Sequence, residues 1–490
     1  MGRSIIAEEY VEKYIEKLLK ENKWYIGVII GQLTNQKDYV VHLARTPDPV
    51  EDEVSEENVD EDTGDAAVLT KKPKAVRPAS LEQLDEKWVS THAKQVTRML
   101  PGGLNVVGLF AIAPPAMLKS VQAKLRQMLF NIHKTLSRNT AFIPTGEITD
   151  RLLLQVDTAT RRLSCVTVNV GDINSGMTPA EWKVQTSGGQ RWVRLTSQVS
   201  LDIPVAVASD SKSPTLLKQL QGGLSDFADS VGRSIVTIDG ALREESEPLV
   251  TNAEKKGTKG GKGKGGGGSS SEPALVSKSV NFYLPFTSAA SHSAPIVSES
   301  QASINMVGAI VVRAYVSARA TVGDAIQALR VDLLRSLLAR CELLCEEFDV
   351  IEPGKHGSEV YDPPVRLFCR LHSNDGAAGE GKSSATAGGG GGVEVCDYVF
   401  QDEKKEEVRQ RIQELLDVEA VTALEEMEKS PAEDDNWSCQ SSLSAISSHQ
   451  SLASPNSVRE SAIKTYIGAA VGGIVAVAAT WLSYLYISDE

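Results

Sequence analysis

Apolar residues Val11, Tyr14, Ile15, Leu18 and Leu19 recur at the spacing of one helix face, which predicts an amphipathic helix near the start of the chain. The continuous apolar run WYIGVIIG, Trp24 to Gly31, predicts a buried strand, and YVVHLA, Tyr39 to Ala44, is its expected partner across the turn-rich LTNQKD. A helix is predicted from about Leu81 to Leu100, with Leu81, Leu84, Trp88, Val96 and Met99 inward, stopped by Pro101, Gly102 and Gly103. LNVVGLFAIAPP then forms another buried strand. A further helix runs to about Leu136, with Met117, Val121, Leu125, Met128, Leu129 and Ile132 at helical spacing, and Arg151 to Val156 and Arg162 to Val170 are strands.

The pattern lapses at AEKKGTKGGKGKGGGGSSSE, Ala253 to Glu272, whose glycines and lysines form a flexible linker. Beyond it, ALVSKSVNFYLPF and SINMVGAIVVRAYVSARA are predicted strands. A long helix follows over ATVGDAIQALRVDLLRSLLARCELLCEEF, with Ala325, Leu329, Leu333 and Leu337 on one face. PVRLFCRLH and VEVCDYVF are two more strands, and an acidic helix from about Asp402 to Met427 closes the region. The expected layout is an N-terminal α/β domain over 1–250 with an acidic loop at 48–65, a linker at 251–275, and a second α+β domain over 276–430 carrying a Gly-rich loop at 375–392. A Ser-rich tether at 431–464 completes the part ahead of the last apolar run.

That run, TYIGAAVGGIVAVAATWLSYLYI, is uncharged from Thr465 to Ile487 and is long enough, at about 1.5 Å per residue, to cross a hydrocarbon core of about 30 Å. Arg459 and Lys464 precede it while Asp489 and Glu490 follow, which orients the N-terminal domains toward the cytosol. It is read as a single-pass tail anchor. Gly468 and Gly472 make a GxxxG pair suited to close helix approach, and Trp481 suits an interface. In this orientation the sequon Asn436, Trp437, Ser438 stays cytosolic and carries no glycan.

Charge and cysteine usage narrow the function classes. A formal net charge of −13 over 490 residues argues against nucleic acid as the main partner, because phosphate binding needs a cationic face. Six cysteines, 165, 341, 345, 369, 396 and 439, show no CxxC pair and no His in ligand register, so they are expected to be reduced thiols. GAAGEGKS, Gly376 to Ser383, fits the formula of a phosphate-binding loop, but that mechanism needs a strand directly before the glycines and a helix directly after. Here SATAGGGGG leads into a strand, so nucleotide hydrolysis through Lys382 is the rival reading and no cofactor is expected. His92, within WVSTHAKQV, is isolated from any nucleophile or acid in the sequence and is read as a core or capping residue.

VVGLFAIAPP, Val106 to Pro115, resembles the strand end of JAMM-type metallo-isopeptidases of the MPN fold, where an apolar run, a glycine and an aromatic lead into His-x-His-Pro. YIGVIIGQ resembles the first MPN strand. A catalytic zinc needs about three protein ligands and an open water position. The matching histidine positions are Ala111 and Ala113, and the later Ser and Asp positions fall near Val121 and Lys124. The expectation is α+β: a catalytically empty MPN-like N-terminal domain, a second α+β domain and one C-terminal transmembrane helix. A residual metallo-isopeptidase is the enzymatic alternative.

The chain as a whole resembles the odorant-response-abnormal-4 family of membrane proteins. The resemblance rests on MGRSIIAEEYVEKY, GVIIGQLTNQKDYVVHLARTP, WVSTHAKQVTRMLPGGLNVVGLFAI, the GAIVVRAYVSARATVGDAIQALRVDLLRSLLARCELL block and the single C-terminal span. It implies residence in the endoplasmic reticulum membrane, help in folding or export of G-protein-coupled receptors, and recruitment of the protease that processes the ubiquitin-fold modifier. Those two protein classes are the expected partners, and no metal site, catalytic residue or enzymatic activity is expected.

Overall fold

A computed structural model of the chain describes residues 2–35, 37–51, 74–75, 77–139, 143, 148–185, 192–207, 214–251, 275–285, 302–350, 363–371, 392–419, 421 and 424–428. The chain divides into two units, Met1–Pro47 with Ser80–Glu433, and Asp48–Ala79 with Asp434–Glu490. In the second unit, β4 (Val50–Glu51) and β5 (Lys74–Ala75) form an antiparallel pair.

The first unit begins with β1 (Ser4–Glu8), α1 (Glu9–Lys20), β2 (Tyr25–Gln32) and β3 (Asp38–Arg45). It continues through α2 (Glu86–Arg98), β6 (Asn105–Ala113), α3 (Pro115–Ser120) and α4 (Gln122–Leu136) to β7 (Asp150–Asp157), β8 (Leu163–Asn169), β9 (Met177–Pro179) and β10 (Glu181–Gln185). The eight strands make one sheet in the order β10-β1-β3-β2-β6-β7-β8-β9. As the turn-rich LTNQKD requires, β2 and β3 pair antiparallel. Both faces of the central strands are buried, which is why they are apolar without alternation. The face bearing Val28, Leu109 and Ala111 packs on α2 and α4, while Phe110, Ile29 and Leu43 on the other face pack on Val11, Tyr14, Ile15 and Leu18 of α1.

A second sheet is built from β11 (Trp192–Val207), β12 (Ile235–Ile238), β13 (Val276–Tyr283) and β14 (Ala302–Ser317), with α5 (Leu216–Gly223) and α6 (Ser225–Gly232) between β11 and β12. Its order is β12-β13-β11-β14. β11 and β14 pair antiparallel along their whole length, from Trp192 opposite Ser317 to Val207 opposite Ala302, so residues on both sides of 251–275 share one sheet. Helix α7 (Val322–Val350) buries Ala325, Leu329, Leu333 and Leu337 in the core of this sheet, the face the periodicity predicts. The last elements are the antiparallel pair β15 (Val365–Arg370) and β16 (Glu394–Val399), then α8 (Lys405–Leu416) and β17 (Glu425–Glu426), which pairs with β15. Their apolar residues Leu367, Val395, Val408 and Ile412 join the core that holds α2 and α4.

Three local expectations are corrected. The helix predicted to reach Met427 ends at Leu416, because Asp417 turns into the left-handed region (φ 51°) and Glu425–Glu426 continue as a strand. The helix predicted from Leu81 starts at Glu86, where the Asp85 side chain accepts from the Lys87 N–H; Leu81 and Leu84 are buried in the turns before it. The helix after β6 breaks at Val121 into α3 and α4. Strands β1, β10 and β11 are additions.

Among the described residues no helix is long and apolar enough to cross a membrane. The span Thr465 to Ile487 with Gly468, Gly472 and Trp481, the tether, the linker at 252–274, the glycine-rich segment with Gly376 to Ser383, and acidic residues 52–65 lie outside the described residues.

Candidate functional site

The strand end singled out by the sequence lies at the centre of the first sheet, where β6 runs antiparallel to β2 and parallel to β7. Ala111 stands between Ile26 and Gln155, and Ala113 beside Asp157. Leu109, Ala111 and Ala113 share the face covered by α2 to α4, and both alanines have 0% exposure. Their common core includes Leu118, Val121, Leu125 and Met128. Gln122 donates to the Gln155 side chain at 3.0 Å, and the Asp157 carboxylate accepts from the Ala159 N–H and the Thr160 hydroxyl in an exposed turn. Of the two downstream positions, Val121 is buried, while the Lys124 ammonium donates to the Glu82 carbonyl at 2.6 Å. Methyl groups and an aliphatic wall do not ligate a metal, so these residues do not fit a zinc centre. Among the described residues no group of three or more His, Cys, Asp or Glu side chains is placed to hold a metal ion.

The structure gives His92 a different task. Its Nε2 donates to the Leu415 carbonyl at 2.8 Å, and its Nδ1 lies 3.1 Å from the Thr46 hydroxyl. His42 on β3 donates from Nε2 to the Leu416 carbonyl at 2.6 Å. Two buried histidines from separate elements thus hold consecutive carbonyls at the C-terminus of α8, groups that the helix itself leaves without partners. Burial pushes both imidazoles down to about 4, so they are neutral Nε2–H tautomers at neutral pH. Asp417, next in the chain, accepts from the Tyr14 hydroxyl and pairs with Arg45 at 3.3 Å. The capping role expected of His92 holds, but the capped helix is remote in sequence.

The densest polar cluster joins the two sheets. Asp332 of α7, fully buried, accepts from the Gly102 N–H at 2.9 Å, the Arg313 N–H at 2.8 Å and both terminal nitrogens of Arg366 at 2.8 and 2.9 Å. Burial is the largest single influence on the Arg366 guanidinium and lowers it, yet Asp332, Cys396 and Tyr398 together raise it well above its ordinary value. The guanidinium groups of Arg313 and Arg366 lie 4.3 and 4.8 Å from the ring centre of Phe368. Glu394 pairs with Arg313 and with Arg194, and Glu428 accepts from Arg340 Nη2 through both carboxylate oxygens and from the N–H groups of Val311 and Arg366. Arg335 donates to the Leu100 and Leu104 carbonyls and to Asn105 at the entrance to β6. Close approach here needs glycine: a Cβ on Gly102 would sit 2.1 Å from the Ala328 carbonyl oxygen, and Gly103 (φ +80°) meets the Tyr315 carbonyl in the same way. The signal in the sequence was a carboxylate and two arginines, Asp332, Arg335 and Arg340, inside a run of leucines.

Burial pushes the thiols of Cys165, Cys341 and Cys369 up to about 12 and that of Cys396 up to about 11, which leaves them without nucleophilic thiolate at neutral pH.

The stretch from β2 to β17, with the alanine strand end, the histidine clasp and most of the charged cluster inside it, matches the model of the ODR4-like (Odorant response abnormal 4-like) family over residues 27–425. The chain belongs to this family. It is 32% identical to Protein odr-4 homolog of Homo sapiens over 505 residues, with both chains covered in full. The Drosophila melanogaster Protein odr-4 homolog is 24% identical over 85% of each chain, and the Odorant response abnormal protein 4 of Caenorhabditis elegans is 23% identical over 71% of this chain and 66% of its own. Among solved structures, UfSP from C. elegans overlaps 85% of this chain and 57% of its own, with 10% identity and a TM-score of 0.38, a likeness too slight to argue from.

Proposed function

We propose that this member of the odorant-response-abnormal-4-like family is a non-enzymatic, membrane-anchored adaptor of the endoplasmic reticulum. In this reading its cytosolic domains recruit the ubiquitin-fold-modifier-specific protease and assist folding, export or localisation of odorant-type G-protein-coupled receptors, and Thr465 to Ile487 holds the assembly at the membrane. The N-terminal sheet is taken as an MPN-like scaffold emptied of its metal chemistry.

The observation that carries the non-enzymatic part is the full burial of Ala111 and Ala113 among Leu118, Val121 and Met128, where a metallo-isopeptidase would need imidazoles around an open water position. The family names support the receptor part, since relatives in worm, fly and human are named for odorant response. The uncharged C-terminal run supports the anchor. The test is affinity purification, from mild detergent, of the full-length chain and of a version ending at Ser457, followed by mass spectrometry. Recovery of the modifier-specific protease with both versions is expected. Its absence from both would refute recruitment.

A further inference from the structure

Strands β10, β1 and β3 lie side by side, and their register sets Lys183, Ile6 and Tyr39 in one row. Laterally paired residues share a face and alternate residues return to it, so the next row on that face holds Gln185 and Glu8. Over these rows opens a cavity of about 310 Å³ lined by Ile6, Tyr39, Lys183, Val184, Gln185 and Arg319, the last from the turn that follows β14. Such a volume is at the lower end for ligand sites and admits one apolar residue with its terminal group, not a longer stretch of chain.

The floor is apolar. Ile6 packs against the main core, and the Tyr39 ring meets buried Trp192 edge-on at 6.1 Å. The rim is polar and cationic: Arg319 is exposed, and the Lys183 ammonium lies 2.8 Å from Glu181. Glu8 accepts from the Trp192 indole N–H at 2.9 Å through one carboxylate oxygen, and burial pushes its carboxyl up to about 7. None of these side chains belongs to the charged cluster around Asp332 or to the histidine clasp. Two cations over an apolar floor select a carboxylate attached to an apolar group. A polyphosphate is disfavoured, because the carboxylates of Glu8 and Glu181 stand close by.

We propose that this cavity captures the C-terminal end of a partner polypeptide whose last residue is apolar. The terminal carboxylate sits between Lys183 and Arg319, and the last side chain rests on Ile6 and Tyr39. The inference is independent of the adaptor reading, which concerns other residues and is tested by purification.

The experiment is fluorescence anisotropy with the full-length chain in mild detergent and fluorescein-labelled peptides ending in Leu, Val, Ile, Phe or Met. Each is used as the free acid and as the C-terminal amide. At least one free acid is expected to bind saturably, with its amide about tenfold weaker. Arg319→Ala should weaken binding about tenfold while the thermal melt stays unchanged, since Arg319 is exposed. Lys183→Ala should weaken it less, because Glu181 already shares that ammonium. The proposal is overturned if no free acid binds up to about 1 mM. Equal binding of acid and amide overturns it, as does indifference to Arg319→Ala. Displacement by ATP as effective as by unlabelled peptide would assign the cavity to small anions instead.

Discussion

Two buried places in the first unit have been built by opposite means. At the end of β6, where the MPN-like pattern would put imidazoles, Ala111 and Ala113 are sealed by aliphatic side chains. Where Gly102, β14, β15 and α7 meet, Asp332 alone gathers four donors and holds the buried Arg366 guanidinium, while Glu394 holds that of Arg313. Taking ions out of water is costly unless they are paired and hydrogen-bonded; here the charged partners come from segments far apart in sequence, and the Nε atoms of Arg313, Arg340 and Arg366 are left without a hydrogen-bond partner. Polar chemistry therefore lies where the sheets are joined, and the end of β6 is aliphatic. That distribution fits a scaffold that holds surfaces in a fixed relation.

The comparison breaks most sharply at Asp332. Asp332→Ala leaves the Arg366 guanidinium and the Arg313 N–H buried without the acceptor Asp332 gives them, and a loss of about 3–5 kcal/mol is expected, read as a shift in the urea midpoint of the full chain. A loss below about 1 kcal/mol would mean that the cluster does not join the sheets. Acid acts next. His42 and His92 are neutral down to about 4 in the folded chain against an ordinary 6.5, so their contribution is complete above pH 6.5 and fades as pH falls through 4, by up to about 3 kcal/mol each. Glu8 works in the opposite sense. Its folded carboxyl titrates near 7 rather than 4.5, so its contribution is complete below pH 4.5 and is lost as pH rises through 7. Because the windows overlap, the variants resolve them: in stability profiles from pH 4 to 8, His92→Gln should flatten the rise of stability with pH and Glu8→Gln should steepen it.

At the alanine strand end, restoring imidazoles should not restore chemistry. Ala111→His with Ala113→His overfills a closed core and should cost about 1–3 kcal/mol, with no stoichiometric zinc by metal analysis. Tight zinc binding by that variant would show that the site is one step from a metal centre. Smallest of all, Lys124→Ala on α4 is expected to change stability by less than about 0.5 kcal/mol, since its ammonium makes one exposed contact.

Strands buried on both faces were legible because β2, β3 and β6 are continuous apolar runs bounded by turns, and α7 because its leucines keep helical spacing over the second sheet. β1 escaped because its five residues run straight into α1. β11 had a visible signal in the alternation of VRLTSQVSLDIPVAV, whose odd positions Val193, Leu195, Val199, Leu201 and Val205 are buried. The burial of Ala111 and Ala113 was readable from the continuous apolar run that holds them. The histidine clasp was not, because its carbonyl partners lie 374 and 323 residues away and any residue supplies a carbonyl. The cavity beside Glu8 depends on the register of β1 with β10, which no local pattern encodes.

In the proposed adaptor reading, the chain acts by placing a partner at a membrane. The most direct measurement is the membrane-bound fraction of the modifier-specific protease in cells lacking this chain, after re-expression of the full-length form, the form ending at Ser457, or nothing. The account predicts a membrane-bound protease with the full-length chain only. A protease equally membrane-bound in all three would contradict it.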